Sequence, residues 1–417
     1  MTFMGKKCIN DRKNKRNSYG QKKLFKFRER VNRMYFDKGM GKNEIIRKLH
    51  SNKRFVLRWT QSPYQDFEED NRGWKKGKMR KWDKKTLRRI EEVHQHLSND
   101  PHKYFTGATA ISQELRKRYP DGKVPPLRTI GKMLSDLRLS GKRKKGRNKG
   151  AASYLCYPEY TLYNLLGGRV LEADFIEKYL KGRTSPVNFI GFSFKQAPKL
   201  RYYRRIGGQT KIKLINSCEE FFQKFERPDF MKVDNGAATI GSISAKRCVS
   251  GFMVYLLKNR VIPIFSVPRK PFSQASIEGN NSVFSRFFWN RSFFNNVSEI
   301  DEQLEWFNKA SLEYLRYEKP EKKSKKKGFI PRVYFLRQIG EDEQTGKGYI
   351  RVLNEIINLP KSYINFFVLT KWNLKEEVLY IYFERNKRSK IIKKVDFRIN
   401  KTSKKKMKKG GLLLFCQ

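Results

Sequence analysis

Three acidic residues carry the chemistry that this sequence suggests. Asp174 lies within LEADFIE, Asp234 within MKVDNG and Glu278 within QASIEGNNSVF, at separations of 60 and 44 positions. RVLEADFIEKYL reads as a strand, DFMKVDNG as a strand ending in a turn, and SQASIEGNNSVFSRFFWNR as a helix with a polar start. If the two strands are neighbours in one sheet and the helix packs beside the same edge, the three carboxylates converge. Converging carboxylates offer the hard oxygen ligands that divalent cations prefer. Such ions serve in-line phosphoryl displacement.

Each acid also has a plainer reading. Asp174 fits a buried polar residue paired with a nearby Arg or Lys, and Glu172, two residues earlier on the same strand face, is its rival. Asp234-Asn235-Gly236 fits a simple turn, because Asx-Gly signals a turn in any fold. Glu278 fits a helix-start residue favoured by the helix dipole. Glu299, Asp301 and Glu302 are other acids nearby, but they precede a separate helix.

The elements that must position these acids span residues 154–316. Before DFMKVDNG come the strands RVLEADFIEKYL, SPVNFIGFSFK and KLRYYRRI and the amphipathic helix KIKLINSCEEFFQKF. After it come the helix SAKRCVSGFMVYLLKNR, the strand VIPIFSVP, the helix bearing Glu278 and a last helix, EIDEQLEWFNKASLEYLR. Three antiparallel strands followed by parallel ones, with helices on both faces, predict a mixed five-stranded α/β sheet. The aromatics Phe284, Phe287, Phe288 and Trp289 read mostly as core, with Trp289 or Phe293 as a base-stacking candidate.

Composition sets the partner. Lys and Arg number 93 against 40 Asp and Glu, a formal net charge of +53 over 417 residues. The chain is nonetheless 38% hydrophobic, with 31 Phe and 20 Tyr, so the charge rides on folded domains rather than on a disordered chain. Self-repulsion of this size calls for a polyanion, with nucleic acid favoured over an anionic membrane surface. No apolar run approaches the ~18–20 residues of a membrane span, and MTFMGKKCIN lacks the apolar stretch of a secretory signal. Cys8, Cys156, Cys218, Cys248 and Cys416 are scattered and odd in number, which suits neither a disulfide framework nor a zinc pattern. The expected setting is intracellular, cytoplasmic or nucleoid-associated, with no membrane partner.

The rest of the chain divides by pattern. Residues 1–23 read as a basic arm. Residues 24–62 and 83–140 each read as an all-α helix-turn-helix unit for DNA binding. In the first, Phe55, Val56 and Trp59 face the core and Lys53, Arg54 and Arg58 point outward. In the second, Leu127, Ile130, Leu134 and Leu137 form the apolar face, leaving Arg128, Thr129 and Lys132 outside. The outward residues are the candidate DNA contacts. Residues 141–153 form a basic linker in which Arg143 and Lys144 are phosphate-binding candidates. Short strands over 328–400 predict a small C-terminal β-barrel, with Arg332, Lys347, Arg351 and Lys371 on a phosphate-binding surface. Residues 401–417 read as a disordered basic tail.

In LEADFIEKYL, VDNGAAT and FSVPRKPFSQASIEGNN the chain resembles the DDE transposase and retroviral-type integrase superfamily with the RNase H-like fold. The resemblance covers about 24–400 and is strongest over 170–290. It implies Asp174, Asp234 and Glu278 as catalytic and metal-holding residues, with two Mg²⁺ per site (Mn²⁺ as a substitute). Asp174 would bridge both ions, with Asp234 on one and Glu278 on the other. It further implies transposon ends and target DNA as partners, a homo-oligomer and accessory transposition proteins. The reaction implied is strand cleavage followed by strand transfer. The chain departs from the family pattern in three ways: a longer interval from Asp234 to Glu278, no retroviral zinc-binding module, and Ser282 and Ser285 where basic residues often stand. DNA contact on that helix then falls to Asn281 and Arg286. The competing expectations are a catalytically inactive DNA-binding regulator derived from a transposase and a nuclease acting on RNA–DNA hybrids.

Overall fold

The computed structural model describes residues 24–63, 67, 82–140, 167–242, 244–320 and 331–409. The expected arm at 1–23 and the linker with Arg143 and Lys144 lie outside the described residues. The chain falls into two compact units, 1–83 and 84–417.

In the first unit, α1 (24–36), α2 (Lys42–Leu49) and α3 (Lys53–Trp59) enclose Val31, Met34, Ile45, Val56 and Trp59. Gly39, at φ +63°, makes the left-handed turn after α1, where a Cβ would be strained. Asn52 starts α3 by accepting the backbone N–H of Arg54 at 2.9 Å. Burying Val56 and Trp59 leaves Lys53, Arg54 and Arg58 exposed on the same helix.

The second unit opens with α4 (Lys84–Asn99), α5 (Ala108–Arg118) and α6 (Leu127–Asp136), whose Ile90, Val93, Leu97, Ile111, Leu115, Ile130 and Leu134 are buried. Leu127, expected on the apolar face, is instead 50% exposed, and Met133 is buried. The reason is position: Leu127 is the first residue of α6, so it projects past the packed stripe. Arg128 and Lys132 are exposed and Thr129 is half-buried.

Next come β1 (Val170–Lys178), β2 (Val187–Phe194), β3 (Leu200–Ile206), α7 (Lys211–Lys224), β4 (Phe230–Val233), α8 (Ala237–Ile240), α9 (Gly251–Lys258) and β5 (Ile262–Phe265). They are followed by α10 (Ala275–Phe284), a π-helical turn (Ser285–Trp289) and α11 (Val297–Leu315). β1, β2 and β3 are antiparallel neighbours, while β4 and β5 run parallel to β1 on its other side. Side chains alternate across a strand, so β1 sends Leu171 and Ala173 into the main core with Leu214 and Phe221 of α7 and Phe252 and Leu256 of α9. Glu172 and Asp174 then lie on the opposite face, under α10. There Phe284 packs on Phe189 and Tyr203, and Asn308 of α11 bonds both the N–H and the C=O of Tyr203. Tyr104 and Phe105, after α4, pack against Phe307 of α11, which ties the helical trio to this layer.

The structure corrects two further expectations. The strands after residue 331 do not close into a separate barrel. β6 (Arg332–Gln338) pairs parallel with β5, and β10 (Phe367–Asn373), β11 (Val378–Arg385) and β12 (Arg388–Asp396) continue outward, giving one mixed nine-stranded sheet in place of five strands. β7 (Gly340–Glu341), β8 (Gly348–Val352) and β9 (Glu355–Leu359) form a small antiparallel sheet whose Ile350, Val352, Ile357 and Leu359 join the main core. That shared core is the physical reason: apolar surface on both sets of strands is buried together. The basic tail also departs from expectation, for Lys401–Lys409 form α12. Met407 is buried, Ser403 accepts the N–H of Val249 at 2.9 Å, and Lys404 pairs with Glu377. Among the described residues no helix is long and apolar enough to cross a membrane.

Candidate active site

Asp174 stands in the middle of β1, directly opposite Gly191 of β2. A Cβ at Gly191 would sit 2.8 Å from the Tyr203 ring and 3.2 Å from the Ile277 side chain. The missing side chain therefore lets β3 and α10 close in beside Asp174. One carboxylate oxygen of Asp174 accepts the N–H of Phe175 at 3.0 Å, and the other accepts the side-chain amide of Asn281 at 3.1 Å. Burial, and after it the charges of Glu278 and Asp234, push the Asp174 carboxyl up to about 7. These three acids and Asn281 thus share one neighbourhood.

Asp234 follows β4 in a turn that wraps on itself. The Thr239 hydroxyl donates to the Asp234 carbonyl at 3.0 Å and to the Gly236 carbonyl at 2.8 Å. A Cβ at Gly236 would lie 2.9 Å from an Asp234 carboxylate oxygen, so only glycine leaves that carboxylate undisturbed. Asn235 reaches sideways and donates to the Ser266 carbonyl at 2.7 Å. Glu278 sits in the first turn of α10 and is exposed. Its carboxyl is raised by partial burial and then by the charge of Glu172.

Glu172 has a different place. It is buried and lies in register with Lys232 on parallel β4, and the Lys232 ammonium meets its carboxylate at 3.0 Å. Its other oxygen accepts the N–H of Ile277 at 2.9 Å. The rival of Asp174 therefore anchors the start of α10, one residue before Glu278. Sequence reasoning missed Lys232. The available signal was a lone cation inside the short apolar strand FMKV.

Could this site hold a divalent cation? Among the described residues none of Asp174, Asp234 and Glu278 forms an ion pair with Lys or Arg, so the cluster keeps an uncompensated negative charge. The side-chain oxygen of Asn281 is buried with no hydrogen-bond partner. In its donor chemistry, all oxygen with one oxygen to spare, the cluster suits a hard ion such as Mg²⁺ or Mn²⁺. The arrangement is open, however: among the described residues no three His, Cys, Asp or Glu side chains are gathered closely enough to hold a metal.

The other candidates fall elsewhere. Arg286 is on the π-helical turn, with its guanidinium over Phe287 and its Nε donating to the Ser282 carbonyl at 3.2 Å. Lys178 donates to Ser285 at 2.9 Å at the far end of β1. Phe284 and Phe288 are core and Trp289 packs on Phe189, while Phe293 is 95% exposed. Lys53, Arg54 and Arg58 belong to the first compact unit, and Arg128, Thr129 and Lys132 to the helical trio of the second.

No family model and no curated protein matches the sequence. Among solved structures, the chain is similar to one in the cryo-EM structure of the simian T-cell lymphotropic virus intasome in complex with PP2A regulatory subunit B56 gamma. The identity is 12% and the TM-score 0.32, over 66% of this chain and 97% of that one. It is also similar to the crystal structure of the NurA nuclease from Sulfolobus solfataricus, at 10% identity and a TM-score of 0.17, over 58% of this chain and 71% of that one.

Proposed function

We propose that the chain is an RNase H-like DDE transposase that binds the ends of a mobile element and cleaves and joins DNA strands. The strand order β5-β4-β1-β2-β3 supports this reading, with acids in the middle of β1, just after β4 and at the start of α10. The observation that carries it is geometric: Asn281, three residues after Glu278 on α10, donates to the Asp174 carboxylate of β1 at 3.1 Å, which brings the start of α10 to the middle of β1. Acids without an ion-pair partner among the described residues are a cost the fold carries where cations are to be held.

Asp174, Asp234 and Glu278 would hold two Mg²⁺ ions, which when bound polarise the scissile phosphate and stabilise the attacking and leaving oxygens. The chain's own residues prepare that site. Asn281 orients one Asp174 oxygen and the Phe175 N–H the other. Glu172 fixes the first turn of α10 and so the backbone of Glu278. The exposed cations of α3 and α6, in two helix-turn-helix units, are proposed to contact DNA phosphates and base edges. Both element ends must be held while the target is attacked, which favours a homo-oligomer.

The deciding experiment is Mg²⁺-dependent nicking of terminal-repeat DNA, compared with Asp234→Ala. Nicking by the wild type alone supports the reading. The open spacing of the acids favours a second reading, a DNA-binding regulator without catalysis. Tight DNA binding with no nicking by the wild type would select that one.

A further inference from the structure

Arg337 is a buried cation with no carboxylate partner among the described residues. Its side chain stands on β6, is 5% exposed, and makes all its hydrogen bonds to neutral oxygens. Nε donates to the Arg351 carbonyl of β8 at 2.8 Å. One terminal nitrogen donates to the Leu336 carbonyl at 2.7 Å and to the Ser266 carbonyl at 3.1 Å. The other donates to the side-chain oxygen of Asn235 at 2.9 Å. Desolvation drags the guanidinium down to about 9. A buried charge satisfied only by carbonyl and amide oxygens is costly, and an apolar residue would serve packing at lower cost.

What the cost secures is the turn after β4. Asn235 is gripped from two sides: its amide nitrogen donates to the Ser266 carbonyl at 2.7 Å and its oxygen accepts from Arg337. Ser266 in turn donates its backbone N–H to the Val233 carbonyl at 2.9 Å. Arg337, Asn235 and Ser266 thus close a ring around the residue next to Asp234. The fork geometry of a guanidinium allows one side chain to span three segments, which a lysine cannot reproduce.

We propose that Arg337 is a positioning residue for Asp234, acting through Asn235, so that the strands after residue 331 set the geometry of the candidate metal site. This rests on the reading of Asp174, Asp234 and Glu278 as cation-holding residues. Outer groups that orient a metal ligand shape affinity for the ion by roughly 10–100-fold.

The test is Mn²⁺ binding to the full chain, followed by loss of the free-ion electron paramagnetic resonance signal, with thermal melting in parallel. The variants are Arg337→Met, Arg337→Lys, Asn235→Ala and the Arg337→Met/Asn235→Ala double. Each single substitution is expected to weaken Mn²⁺ binding by about tenfold or more, with Arg337→Lys the mildest. The double should be no weaker than the weaker single, because both act through one contact. Asn235→Ala, which removes no buried charge, keeps the test valid if Arg337→Met fails to fold. A folded Asn235→Ala that binds Mn²⁺ like the wild type overturns the proposal, as do losses that multiply in the double. A wild type that binds no Mn²⁺ overturns it together with the metal reading of the acids. A wild type that binds Mn²⁺ with the expected variant pattern but never nicks DNA supports this inference and removes only the transposase reading.

Discussion

Glu172 and Lys232 face each other in register across parallel β1 and β4, 3.0 Å apart and both almost fully buried. The same carboxylate also takes the N–H of Ile277. Removing only one partner leaves a buried charge uncompensated, which typically costs about 3–5 kcal/mol. Lys232→Met should therefore lower stability by about 3 kcal/mol or more in urea denaturation. Glu172→Met/Lys232→Met should recover much of that loss while releasing the start of α10. A double variant that regains stability and keeps full activity would show that the Ile277 contact does not matter to Glu278.

Asp174, Asp234 and Glu278 should each be indispensable to cleavage. Conversion of any one to Ala is expected to bring nicking to background while DNA affinity in a gel-shift assay stays within about twofold. Loss of binding in all three would point to a role in folding.

Asp174 gives the fold a pH signature. Its carboxyl is raised from an ordinary 3.8 to about 7, so across that window the folded chain keeps a proton that the unfolded chain has released. The contribution of this group to stability is therefore present at low pH and lost as pH rises toward the folded value. Without divalent cations, the melting temperature of the wild type relative to Asp174→Asn should fall by several degrees between pH values near 4 and near 7. Calorimetric scans that move in parallel would exclude a raised carboxyl at this position.

Gly236 is a close-contact position. Gly236→Ala places a methyl 2.9 Å from the Asp234 carboxylate, so nicking should drop at least tenfold, on the order of 1.4 kcal/mol in the barrier. The melting temperature should change little, since the residue is only half-buried in a turn. Wild-type nicking by a folded variant would mean that the Asp234 rotamer is not set here.

The net charge of +53 predicts an electrostatic mode of DNA binding. Raising salt from about 50 to about 200 mM should weaken binding by about a thousandfold or more if six or more phosphates are neutralised. A flat response in fluorescence anisotropy would argue against broad phosphate contact.

Much of the fold was legible because local patterns dictated it. The alternation in LEADFIEK and VNFIGFSF and the helical spacing in KIKLINSCEEFFQK each specify one buried face. The neighbouring of β1 and β4 followed from element order. The continuation of the sheet beyond β5 was not legible, since β5 and β6 are joined through only two registered pairs, Ile264–Tyr334 and Phe265–Phe335, with no local signature. Glu172 and Asp174 share a strand face and read alike. What separates them is Lys232, 60 positions away. Arg337 was invisible for the same reason, because a buried cation in a strand is recognised only by the distant carbonyls that surround it.

The nine-stranded sheet ends at β12, and nothing among the described residues pairs with the outer side of that strand. Its sequence, RSKIIKKVD, crowds lysines and an arginine along that rim. Like charges brought side by side repel, so this border resists zippering onto a second copy. A chain with threonines in place of Lys390, Lys393 and Lys394 would lose that guard and should precipitate at concentrations the parent tolerates.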